Sequence, residues 1–66
     1  MKVRVLCAIP HHEDFHVDQE KVKQAVNKEL SKLGYRKDTV KLHQQIVPVA
    51  GQPHEVVTVV VAILEH

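Results

Sequence analysis

The chain predicts an α+β fold: a two-layer β-α-β-β unit with a three-stranded mixed sheet and one helix packed on one face. Three observations lead there. Glu55–Leu64 holds seven Val, Ile or Leu in ten positions with neither Gly nor Pro, as a strand apolar on both faces requires. Residues 18–33 carry a helical apolar stripe between recognisable caps. Residues 2–9 alternate as a strand does.

In chain order, β1 is expected over 2–9. Val3, Val5, Cys7 and Ile9 form its core face, and Pro10, which has no N–H for a ladder, ends it. Residues 10–16 show no period and read as loop. Asp18 is a good helix N-cap, and Val17 and Val22 are spaced as a hydrophobic staple. Val22, Ala25, Val26, Leu30 and Leu33 fall on one helical face, and Gly34 is the expected left-handed residue after the last turn. β2 is expected over 38–47. Its one apolar side, Val40, Leu42 and Ile46, is interrupted by Gln44, so it reads as an edge strand closed by Pro48. β3 is Glu55–Leu64.

The helix then crosses over, right-handed, between β1 and a parallel β2, while β2 and β3 form an antiparallel hairpin. Placing the most apolar strand in the middle gives the order β1-β3-β2; the order β1-β2-β3 would strand it on an edge. The expected covered face is Val57, Val59, Val61 and Ile63 with Val3, Val5, Cys7, Val40, Leu42 and Ile46.

Size narrows the field further. Sixty-six residues make a single domain, 1–64, whose chain buries only about 60% of its surface on folding. Such domains are supplemented by disulfides, a metal or a partner chain. One cysteine excludes an internal disulfide and suits a reducing compartment. No segment reads as a signal peptide or a membrane span, so a cytoplasmic location is expected. The closing Leu64-Glu65-His66 looks like the start of a purification tag, and residues 65–66 are set aside on that ground.

Three functional readings follow. The first is an interaction or structural module that self-associates, or meets another protein, through the uncovered sheet face, expected to present Leu6, Ala8, Val56, Thr58, Val60 and Ala62. The second is a transition-metal site for Zn, Ni or Cu on His11, His12 and His16, whose imidazoles suit those ions. Against it, the segment lacks the spacing of established zinc motifs, and an exposed polar loop explains it as well. The third is nucleic-acid contact by Lys21, Lys28, Lys32, Arg36 and Lys37. Residues 21–41 hold seven basic residues against two acidic ones. A net charge of +1 and the absence of interleaved aromatics argue for a solvated helix face instead. Cys7 reads as a small core residue, and no phosphate loop, Ser-His-Asp set or paired carboxylates are visible, so no enzyme and no cofactor are expected.

Overall fold

The computed structural model describes residues 2–64; the expected tag remnant, Glu65 and His66, lies outside the described residues. The elements run β1 (Lys2–His12), α1 (Gln19–Leu33), a 3-10 turn (Lys37–Thr39), β2 (Lys41–Pro48) and β3 (Glu55–Leu64). The sheet has the order β1-β3-β2, with the valine-rich strand in the centre. Both of its pairings are antiparallel, so the sheet is antiparallel rather than mixed. The expected parallelism of β1 and β2 survives only as a shared direction, because β3 lies between them.

The helix caps follow the residues predicted for them. Asp18 accepts from the Glu20 N–H at 3.0 Å, satisfying one orphan donor of the first turn. Gly34 is left-handed at φ 80, and the Tyr35 N–H reaches the Leu30 carbonyl at 2.9 Å, the six-residue closure of a Schellman end. Val17, Val22, Val26 and Leu30 are buried and face the sheet.

Two boundaries differ from expectation. β1 continues through Pro10 to His12, because β1 is an edge strand and a missing N–H costs nothing where it would point to solvent. β2 starts later, since residues 37–39 form a 3-10 turn whose end is held by the Thr39 N–H and hydroxyl on the Arg36 carbonyl.

The larger correction concerns which face is covered. β1 carries a bulge at Leu6: Val5 pairs Val61, yet Cys7 pairs Val60. One extra residue inverts the alternation, so Leu6, Cys7 and Ile9 face the helix while Val3 and Val5 face away, 63% and 59% exposed. In β3 the row beneath the helix is Val56, Thr58, Val60, Ala62 and Leu64, all buried. Val57, Val59, Val61 and Ile63 form the open row instead and are half-buried only by their neighbours. On β2, Leu42 and Ile46 do lie on the helix side, opposite Ala62 and Thr58, but α1 sits over β1 and β3 and leaves them 38% and 61% exposed.

Candidate functional site

Of the histidines predicted as metal ligands, His11 and His12 end β1 and are hydrogen-bonded within the chain. His11 is in β1, opposite Val56. Its Nδ1 lies 3.0 Å from both the His12 and the Phe15 carbonyl oxygens, so Nδ1 carries the proton and donates. Its Nε2 is then free to accept from the Thr58 hydroxyl, 2.6 Å away. Thr58 is fully buried, and His11 supplies its partner; no buried side-chain polar atom is left unpaired among the described residues. Both ring nitrogens of His11 are thereby engaged within the chain.

His12 accepts the Asp14 N–H on Nδ1 at 3.1 Å. That nitrogen is also 3.6 Å from the Asp14 carboxylate, which it faces as a donor only when protonated. His16 is exposed. Among the described residues, no three His, Cys, Asp or Glu side chains gather as metal ligands. The structure therefore does not bring His11, His12 and His16 together as a site.

What the segment does form is a clasp between two loops. The Glu13 N–H donates to the His54 carbonyl at 2.8 Å, and the Glu13 carboxylate meets His54 Nδ1. The His12 and His54 rings stack with centroids 5.8 Å apart. His54 itself has φ 71, a left-handed conformation uncommon for a side-chain-bearing residue, at the end of the β2–β3 turn. The expected strand directions put the end of β1 and the β2–β3 turn at one end of β3; what the sequence does not encode is the register that sets His54 against Glu13. The antiparallel register is what brings them together.

Cys7 packs against the core beside Leu6, and burial pushes its thiol pKa up, partly opposed by a backbone hydrogen bond at Val60. A raised pKa disfavours the thiolate, the nucleophilic form. Lys21, Lys28, Lys32, Arg36 and Lys37 are all exposed, and Arg36 is 3.7 Å from the Asp38 carboxylate. They line the outer side of the helix and the turn after it.

The remaining candidate surface is the open sheet face. Of the residues expected there, Leu6, Val56, Thr58, Val60 and Ala62 are buried on the helix side of the sheet instead. Ala8 alone of that set is on the open face, where it is exposed. The face is built in cross-strand rows: Val3–Ile63–Lys41, Val5–Val61–His43, Ala8–Val59–Gln45 and Pro10–Val57–Val47. Two of its three columns are wholly apolar, and its one Lys sits at a corner.

No family model matches the chain, and comparison with curated proteins and with solved structures gives no match. No helix among the described residues is long and apolar enough to cross a membrane.

Proposed function

We propose that this chain is a self-associating structural module whose open sheet face packs against the same face of a second copy. The observation that carries the reading is an excess of surface. A compact folded monomer of this mass exposes roughly 4,250 Å², whereas this chain exposes 5064 Å². The surplus, about 800 Å², is a property of the whole molecule and is of the order of one partner's share of a standard interface. The radius of gyration is likewise 12.8 Å, against roughly 11 Å for a compact chain of this length. The molecule is a slab 15 Å thick with one bare side. Two such slabs stacked on their valine rows make a β-sandwich core with helices outside. A second copy suits the surface better than a charged partner, since its centre offers no charge to pair with.

Val59 lies in the middle of that face, between Ala8 and Gln45. Val59→Lys buries an unpaired charge in the assembly, a cost of about 3–5 kcal/mol, while in the isolated chain the same side chain reaches water. Light scattering is expected to show a smaller particle for the variant than for the parent at equal concentration, with unchanged circular dichroism. Equal masses for the two proteins would refute the reading.

A further inference from the structure

A second surface for self-association is written into β2, and its argument is independent of the open face except in taking a second copy as the partner, where it rests on the reading above. The two edges of the sheet are not alike. The β1 edge is protected against pairing by Lys2, Arg4, the Leu6 bulge and Pro10. The β2 edge is not. From Leu42 to Val47 it reads Leu-His-Gln-Gln-Ile-Val, with no Lys, Arg, Asp, Glu or Pro, and its register with β3 runs without a bulge.

The hydrogen-bond alternation says which groups that edge presents. The Val49 N–H donates to the Glu55 carbonyl. Counting back in twos, Val47, Gln45 and His43 turn their N–H and C=O toward β3, and Leu42, Gln44 and Ile46 turn theirs outward. Pro48, the residue with no N–H to give, belongs to the outward set.

We infer that β2 pairs antiparallel with β2 of a second copy about a two-fold axis at Gln44, joining two sheets into one of six strands. Three features select that register. Residues that face each other across a two-fold pairing must share a sheet face, so their numbers must share parity, and the outward-turned set Leu42, Gln44 and Ile46 meets this. Centring on Gln44 sets Leu42 against Ile46 of the second copy, covering the two apolar side chains that α1 leaves bare, and forms about six main-chain hydrogen bonds. Centring on Gln45 instead would set Leu42 against Pro48 and forfeit a donor. In the Gln44 register each Lys41 faces a Val47, so no like charges oppose. The axis is perpendicular to the sheet; an axis of face packing that runs across the strands along the Ala8–Val59–Gln45 row meets it, and the two contacts then close a tetramer with two-fold symmetries rather than an open fibre.

Gln44 is exposed, so its replacement spares the fold of one chain. Gln44→Lys or Gln44→Glu puts two like charges opposite each other at the axis, and mixing the two variants replaces repulsion with a Lys–Glu pair. Each variant alone is expected to halve the particle mass measured by sedimentation equilibrium, and an equimolar mixture to recover it. The same series in a Val59→Lys background separates this contact from the open face: there the expected sequence is dimer, monomer and, on mixing, dimer. Unchanged mass for either Gln44 variant overturns the inference, including the case in which a foreign strand occupies the edge. Loss of mass without recovery on mixing overturns the Gln44 register. If Val59→Lys leaves the mass unaltered but the Gln44 series behaves as stated, the face reading fails and the edge contact stands.

Discussion

His11 shows how one side chain can close a local structure whose residue types suggest chemistry. Its imidazole links three segments: β1, which carries it; the turn at residues 12–15, whose carbonyls it binds; and the centre of the core, through Thr58. The energetics are asymmetric. Thr58→Val removes a buried hydroxyl and keeps the shape, and the nitrogen it leaves belongs to a ring that is only half-buried. His11→Ala leaves the Thr58 hydroxyl fully buried without a partner, which costs about 1–3 kcal/mol. For a domain of this size each kcal/mol lowers the melting temperature by roughly 4–8 °C. The expected ordering is therefore a larger fall for His11→Ala than for Thr58→Val. A His11→Ala/Thr58→Val double variant should be more stable than His11→Ala alone, because no orphaned group remains. Calorimetry of the three proteins checks this, and equal melting temperatures for His11→Ala and the double variant would show that the hydrogen bond carries no stability.

Among the elements, legibility in the sequence tracked how local each cause was. The caps of α1 are decided within a turn of chain, and Asp18 and Gly34 behave as their chemistry dictates. The central place of β3 follows from apolarity on both of its sides. The covered face was not legible, because it turns on the bulge. Leu6, Cys7 and Ala8 are consecutive small or apolar residues, so the pattern reads equally well with or without an extra residue there. The bulge turns Val3 and Val5 away from the helix while Cys7 keeps its expected side, and the β3 rows exchange places, whereas Leu42 and Ile46 of β2 stay on the side expected of them. The strand order already sets the two loops at one end of the sheet, but the contact of His54 with Glu13 depends on register, and no adjacent residues encode it. Neighbours in β1 should accordingly respond in opposite ways. In a Val59→Lys, Gln44→Glu background that isolates the single chain, Leu6→Ala empties a core position and should cost about 2–5 kcal/mol. Val5→Thr changes an exposed position and should stay within about 0.5 kcal/mol. Urea unfolding distinguishes the bulged register from a regular one, in which the two effects would be reversed.

At the scale of the molecule, one helix is asked to cover a three-stranded sheet and does not. The core, Leu6, Val17, Val22, Val26, Leu30, Val60, Ala62 and Leu64, lies between α1 and two of the strands. The third strand and the whole opposite face contribute apolar surface that folding of a single chain leaves in water. Stability and association are then coupled by mass action: dilution dissociates the assembly, and the free chain must stand on its small core alone. For the face-paired dimer that Gln44→Glu leaves, which unfolds to two chains, a tenfold dilution costs about 1.4 kcal/mol. With an unfolding entropy of about 2.1 cal/mol/K per residue over both chains, the melting temperature should fall by about 5 °C per tenfold dilution. The Val59→Lys, Gln44→Glu double variant, which has lost both contacts, should melt at one temperature whatever its concentration. A parent protein that is equally insensitive to dilution would mean that the isolated slab is its own stable end point, and that the bare face and open edge are both tolerated in water.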